Sequence, residues 1–226
     1  MPDSVDPLLI EAWLRARSVS RGLPQPVSDS GGLRLDSALP NEPRRYLFAR
    51  PVEGLRELAM RITGPRIPIK LCDTPETLRS YLPAHWVISP QNFVMICHRA
   101  FGQRDERPQQ PAGYLLELNT ADAVTEASML TTTGELAASG YAAHYDGAFV
   151  YDRIVTRENH RRKGLGRTIM TALASARPAS ATQQILVATP EGRELYRSLG
   201  WSDYAPYASA VILEAGAQRD ASIRSG

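Results

Sequence analysis

Apolar and polar positions along the chain follow two periods, one near two residues and one near 3.6. Gly113 to Leu118, Val124 to Leu130, Glu135 to Ala143 and Phe149 to Thr156 read as four successive strands. Turn residues separate them: Asn119, Thr131 to Gly134, and Asp146-Gly147. Asp-Gly between strand-like runs is a hairpin signal. Leu165 to Ala176 then carries a helical period, and Gln184 to Ala188 reads as a buried strand. Thr189-Pro190-Glu191 opens another helix, with a hydroxyl for the N-cap, proline in the first turn and an acid at the positive end. That helix stops at Gly200, a good C-terminal glycine. An aromatic-rich strand follows from about Tyr204 to Leu213.

The first part of the chain has its own elements. Asp6-Pro7 starts a helix whose apolar face holds Leu9, Ile10, Trp13, Leu14 and the stem of Arg17, and Gly22-Leu23-Pro24 ends it. A loop rich in Ser, Gly and Pro is expected to about Gly32. Arg45 to Ala49 is strand-like, Val52 to Ile62 helical, Ile67 to Cys72 strand-like, Pro75 to Leu82 helical, and Asn92 to His98 a strand.

The densest chemistry sits at Arg161-Arg162-Lys163-Gly164-Leu165-Gly166-Arg167, between a predicted strand and a predicted helix. A strand that turns through glycines into a helix presents backbone N–H groups and the positive end of the helix dipole, which suits a pyrophosphate. Gly164 and Gly166 let the backbone approach phosphates without a Cβ in the way. No Gly-Lys-Ser/Thr closes the run as in the nucleotide P-loop, and the third glycine of the dinucleotide fingerprint is missing. A basic surface turn is the plain alternative.

The spacing Arg161-x-x-Gly164-x-Gly166 resembles the pyrophosphate loop of the GNAT N-acetyltransferase superfamily. Leu195-Tyr196-Arg197-Ser198-Leu199-Gly200-Trp201 resembles its second signature, in the right order and about 30 residues on. The resemblance covers roughly residues 111 to 213. It implies an α/β chain of α+β type, a GNAT fold with a central mixed, mostly antiparallel sheet flanked by helices.

An ungapped shift of 115 (189 minus 74) places Leu71 on Leu186, Thr74-Pro75-Glu76 on Thr189-Pro190-Glu191, Tyr81 on Tyr196 and Trp86 on Trp201. Six identities in sixteen positions exceed the roughly one expected by chance. The reading is a degenerate GNAT-like partial repeat without a pyrophosphate loop. Convergent Thr-Pro-Glu capping is the alternative. The expected organisation is a helix and loop at 1–38, the partial repeat at 39–110, the catalytic domain at 111–214 and a disordered tail at 215–226.

Charge narrows the function classes. Lys and Arg number 26 against 24 Asp and Glu, a net charge of +2, so nothing favours nucleic acid beyond the local loop. Cys72 and Cys97, the only cysteines, have no metal-ligand spacing and are expected reduced; no metal is expected. No apolar stretch approaches a membrane span, and the acidic N-terminus does not read as a signal peptide. A cytoplasmic protein is expected, with no membrane partner, and a homodimer stays open.

The resemblance implies acetyl-CoA as cosubstrate and a primary amine as acceptor. It also implies that the arm of the coenzyme pairs with the backbone of Ile154, Val155 and Thr156, while Arg161, Arg162, Lys163, Gly164, Leu165, Gly166 and Arg167 take its pyrophosphate. Thr189 can give it a hydroxyl or only cap the helix. Tyr196 matches the family's general acid for the departing sulfur; packing on the sheet is the other reading. For the base, alternation puts Asp152 on the face of Ile154 and Thr156, while His144, Tyr145 or a water chain are further choices. A longer acyl donor and a non-catalytic coenzyme A sensor are the other functions to separate.

Overall fold

The computed structural model describes residues 5–98 and 110–214. The expected disordered tail lies outside them. In chain order the elements are α1 (Pro7–Ser20), β1 (Val27–Asp29), β2 (Gly32–Leu39), β3 (Glu42–Phe48), α2 (Glu53–Arg61), β4 (Ile69–Leu71), α3 (Pro75–Tyr81), β5 (Val87–Ile88) and β6 (Asn92–Cys97). There follow β7 (Tyr114–Ala121), β8 (Val124–Thr131), β9 (Leu136–Tyr145), β10 (Ala148–Thr156), a 3-10 turn (Glu158–His160), α4 (Leu165–Ser175), β11 (Gln183–Ala188), α5 (Pro190–Ser198) and β12 (Ser202–Val211). No helix among the described residues is long and apolar enough to cross a membrane.

The helix starts follow their capping chemistry. The side chain of Asp6 accepts from Leu8 N–H at the start of α1, and Thr74 and Thr189 do the same for Thr77 and Gly192 in α3 and α5. A proline follows each cap. One expectation fails locally. The region through Gly32, expected as loop, begins a hairpin, β1–β2, that runs to Leu39. Leu35 faces the core, while Asp36 on the outer face pairs with Arg34 and Arg44.

One continuous sheet joins these strands in the order β1-β2-β3-β4-β12-β6-β11-β10-β9-β8-β7, with β5 also pairing with β12. β3 runs parallel to β4, and β10 parallel to β11. β11 pairs on its other side with β6 (Ile185 opposite Ile96, Leu186 opposite Met95). β4 pairs in the matching way with β12 (Lys70 opposite Ser209, Leu71 opposite Ala208). β6 and β12 meet at the centre. Each half thus places its last strand beside the other half's second parallel strand. The two expected units interleave rather than sit side by side.

Side chains divide the sheet into two faces. Ile10, Trp13 and Leu14 of α1 pack on Leu47, Val94, Val150, Ile185 and Tyr207. On the opposite face, α4 and α5 cover Met95, Phe149, Tyr151 and Leu186, and α2 and α3 cover Phe48, Ile69, Leu71 and Ala208. Strand alternation explains the split, since neighbours such as Leu47 and Phe48 enter opposite cores.

The first half is closed where a ligand would have to enter. β3 and β4 stay paired to their ends (Phe48 opposite Leu71), and Cys72 N–H donates to Phe48 C=O at 2.9 Å. The start of α2 is covered by the β1–β2 turn: a Cβ on Gly54 would stand 2.1 Å from the Ser30 carbonyl oxygen. Gly54→Ala is therefore expected to destabilise the chain by about 1–3 kcal/mol through overpacking. Urea unfolding of the two proteins measures this, and an unchanged midpoint would disprove the contact.

Candidate active site

The basic loop folds as a turn between β10 and α4. Gly164 is the N-cap of α4 at φ 80°, in the left-handed region that favours glycine, and no side chain caps the helix. A Cβ there would meet nothing within 4 Å, so the space above the helix start is open. The first turn of a helix directs its N–H groups into such space, here those of Leu165, Gly166 and Arg167. Gly166 has a different reason to be glycine. A Cβ there would lie 3.0 Å from Leu195 Cδ2, so its absence lets α4 approach α5.

Arg161, Arg162 and Lys163 are exposed. Lys163 Nζ stands 5.9 Å from the Tyr114 ring centre, and the Tyr114 hydroxyl is 3.0 Å from His160 Nδ1. His160 Nε2 in turn lies 3.7 Å from Glu135. His160 thus props the loop from behind. Arg167 is tied to α5 by a 3.2 Å hydrogen bond to the Ser198 hydroxyl.

Beside the loop the sheet opens. β10 and β11 pair only from Ala148–Gln183 to Val150–Ile185. Beyond that, β10 follows β9 and β11 follows β6, which leaves a gap between Ile154–Thr156 and Val187–Thr189. A bulge shapes the gap. The register of β10 on β9 shifts between Asp152 and Val155, with Arg153 at φ 53°.

The bulge overturns one expectation. Simple alternation put Asp152 on the face of Ile154 and Thr156. In the structure Asp152 faces α1, while Ile154 Cδ1 lies over Gly140 beside Ile169 of α4. Thr156 also lies on the α4 side, its hydroxyl facing Gly166. One extra residue in a strand turns every later side chain to the other face. Val155 is exposed.

A cavity of about 320 Å³ fills the gap. Tyr151, Ile154, Thr189, Gly192 and Tyr196 line it from the α5 side, and Trp13, Arg17, Arg21, Lys70 and Tyr207 from the α1 side. Tyr196 is buried, its ring 6.3 Å from that of Trp201. Burial pushes its phenol up to about 12, with the charge of Asp152 adding to the shift. The group stays protonated at neutral pH. Tyr151 is engaged elsewhere, its hydroxyl donating to Gln184 at 2.7 Å.

Asp152 also lines the cavity, with both its oxygens taken by donors. Arg21 donates to both its oxygens, Nε at 2.6 Å and Nη2 at 2.8 Å, and the Ser20 hydroxyl donates at 3.1 Å. Burial alone would raise its carboxyl. The Arg21 hydrogen bond and the charges of Arg17, Arg21 and Arg153 outweigh burial and hold it below the ordinary value. A carboxylate so stabilised is a poor proton acceptor at neutral pH. The geometry speaks for an organising role rather than the base role expected from the sequence.

The other base candidates lie elsewhere. His144 pairs with Phe149 and Tyr145 with Ala148, at the closed end of β10. Five residue steps separate Phe149 from Ile154, about 17 Å of strand. His98 lines a different cavity, near Tyr204. Tyr81, which the shift of 115 sets on Tyr196, lies under the Arg56 guanidinium at 4.8 Å, in the packing between α2 and α3. Among the described residues no group of three or more His, Cys, Asp or Glu could hold a metal.

Arg21, Lys70, Asn92 and Tyr207 were not singled out from the sequence as site residues. They reach the cavity from α1, β4, β6 and β12. One signal existed: Arg17 follows Ile10, Trp13 and Leu14 on the apolar face of α1, where a charge is out of place.

The open helix start fits a pyrophosphate group: it has a glycine hinge, free space and three cations nearby. Residues 124–203, from the start of β8 into β12, match the family described as the acetyltransferase (GNAT) domain. Among solved structures, the GCN5-related N-acetyltransferase from Kribbella flavida superposes with a TM-score of 0.62 at 16% identity, over 92% of this chain and 96% of that one. A putative GNAT-family acetyltransferase from Novosphingobium aromaticivorans gives 0.58 at 16% identity, over 91% and 97%. A tandem GNAT protein from the clavulanic acid biosynthesis pathway gives 0.52 at 15% identity, over 71% and 68%. Identities this low speak to the fold. No protein of curated function matches the chain. Residues 124–203 thus carry a domain of the GNAT acetyltransferase family, a family of acyltransferases, and the described chain has the fold of the GNAT structures it superposes on.

Proposed function

We propose that this chain transfers an acetyl group from acetyl-CoA to a primary amine by direct attack with both substrates bound. The observation that carries this reading is the gap between β10 and β11. It opens beside the glycine-hinged start of α4 and holds a cavity lined by Tyr196.

Each part has a physical task. The N–H groups of Leu165, Gly166 and Arg167, with Arg161, Arg162 and Lys163, bind the pyrophosphate. The free edge of β10 at Ile154, Val155 and Thr156 offers backbone groups to the arm and an N–H to negative charge developing on the carbonyl oxygen. Thr189 spends its side chain on the α5 cap, accepting from Gly192 N–H at 3.2 Å. Its hydroxyl hydrogen remains for a guest. As the amine nitrogen forms its C–N bond and the C–S bond breaks, Tyr196 gives its proton to the departing sulfur and later recovers one from solvent. The proton of the attacking amine passes to water, since Asp152 is engaged.

The two halves read as copies of one unit, at 39–110 and 111–214, of which only the later kept its ligand site. The matched pairing of β6 on β11 and β12 on β4 supports this, as does the closed end of the first copy.

Gly164→Val tests the loop. The substitution forces a β-branched residue to φ 80° and fills the open space. Calorimetric titration of acetyl-CoA into both proteins is expected to show at least a tenfold loss of affinity, about 1.4 kcal/mol. Equal affinities would remove the loop from the site.

A further inference from the structure

The cavity is charged unevenly. Four cations line it, Arg17, Arg21, Lys70 and Arg153, against one carboxylate, Asp152. That carboxylate is already committed to Arg21. Arg153 is committed as well: it lies 3.7 Å over the Tyr141 ring and donates to the Ser20 carbonyl.

Two cations are left facing the cavity on the α1 side. Arg17 comes no nearer to Asp152 than 3.6 Å, too long for a hydrogen bond, and its buried Nη1 has no hydrogen-bond partner among the described residues. Lys70 Nζ stands 5.8 Å from the Tyr207 ring centre, and no carboxylate pairs with it among the described residues. Burial, then the charge of Arg45, lowers Lys70 to about 8; Glu42 pulls the other way, and Arg17 and Arg21 add to the lowering. Cations crowded in this way are costly without an anion between them.

The anion cannot be the coenzyme's phosphates if those sit at the start of α4, because the cationic pair lies through the gap on the opposite face of the sheet. The position facing the gap from that side is the acceptor's. We propose that the acceptor is a small primary amine bearing a carboxylate, an amino-acid-like molecule whose carboxylate rests on Arg17 and Lys70 and whose amine points into the gap. The inference rests on the acyl-transfer reading of the same cavity. A guanidinium edge suits a carboxylate, which it can hold through two parallel N–H bonds. The volume of about 320 Å³ suits a small molecule.

Matched amine pairs test the proposal: glycine and glycinamide, β-alanine and β-alaninamide, O-phosphoethanolamine and ethanolamine. Thiol release from acetyl-CoA gives kcat/KM for each. In the first two pairs the amide is the weaker base, so more of it is neutral, and chemistry alone does not favour the acid. The amino acid is nevertheless expected to exceed its amide by about 10- to 100-fold, the worth of one or two charge-assisted hydrogen bonds. Arg17→Gln and Lys70→Gln should each narrow that ratio, mainly by raising the acceptor KM. Lys70→Gln keeps the test valid if loss of Arg17 disturbs folding beside Asp152.

Equal turnover of acid and amide would overturn the proposal and leave acetyl transfer standing. Preference for O-phosphoethanolamine over every carboxylate would keep an anionic acceptor but overturn the carboxylate. If no amine is turned over, calorimetry with acetyl-CoA tests the acyl-transfer reading by itself. Calorimetry with β-alanine and β-alaninamide then decides the anion site, and failure of β-alanine to bind more tightly than its amide overturns it.

Discussion

Tyr196→Phe is expected to keep the affinity for acetyl-CoA and lose turnover by about 10² to 10⁴ in kcat. The lower end is favoured by the geometry. A phenol and an alkyl thiol ordinarily differ by about 1.5 pKa units, and burial pushes Tyr196 up to about 12. A sulfur leaving into the same gap is desolvated too, which raises its own demand for a proton and partly restores the match. With an acid near 12, the pH profile of kcat should show no falling limb from this group below about pH 10.

Tyr81→Phe is the control. The shift of 115 sets it on Tyr196, but Arg56 covers its ring and β3 and β4 stay paired beside it. The phenyl ring keeps that stacking, so turnover should be unchanged. Steady-state rates on any accepted amine, with calorimetry for the donor, read both variants. Full activity in Tyr196→Phe would move the acid role to another group or to water, while leaving the fold and the loop untouched.

The second large effect belongs to Asp152. Asp152→Asn should destabilise the chain by about 3 kcal/mol, the lower end of the cost of breaking a buried ion pair. The lower end applies because the Arg21 side chain keeps 26% of its surface exposed, while that of Asp152 keeps 9%. The pH dependence has a definite sign. The carboxyl of Asp152 is lowered on folding, so its contribution is present above the unfolded value of about 3.9 and fades as pH falls through the folded value. Urea unfolding from pH 7 down to pH 3 should show wild type converging on the variant. A base role predicts a different result: intact stability with kcat lowered. That result would restore Asp152 as the proton acceptor.

Most of the local architecture was legible in the residues. Thr189-Pro190-Glu191 announced the start of α5, and the hydroxyl does accept from Gly192. The turn at Asp146-Gly147 joins β9 to β10 as its dipeptide suggests, with both residues at positive φ. Gly164 does adopt the left-handed conformation that only glycine takes without strain. The sequence match between Thr74–Trp86 and Thr189–Trp201 has a counterpart in β4 and β11, each parallel to the strand before it in its half, and in Trp86 and Trp201, each buried beneath its own helices. Signals of this kind are carried by a few neighbouring residues, and their physics acts over that same short range.

The candidate site was legible only in part, because its walls come from distant segments. Nothing near Lys70 in the chain indicates that β12 will lie beside β4, or that α1 will bring Arg17 and Arg21 beneath Asp152. Strand exchange depends on which of several compatible edges pair, and that is decided by the packing of the whole sheet. The face of Asp152 depended on the bulge at Arg153, a single extra residue that alternation cannot foresee. The sequence by itself determined the helices, their caps and the glycine-hinged loop, because each is a local balance of sterics and hydrogen bonds. Only the tertiary structure decided that the β3–β4 end is closed, that Asp152 is neutralised by arginines, and that Arg17 and Lys70 face the gap without a hydrogen-bonded carboxylate, because burial and long-range charge exist only once distant strands have met.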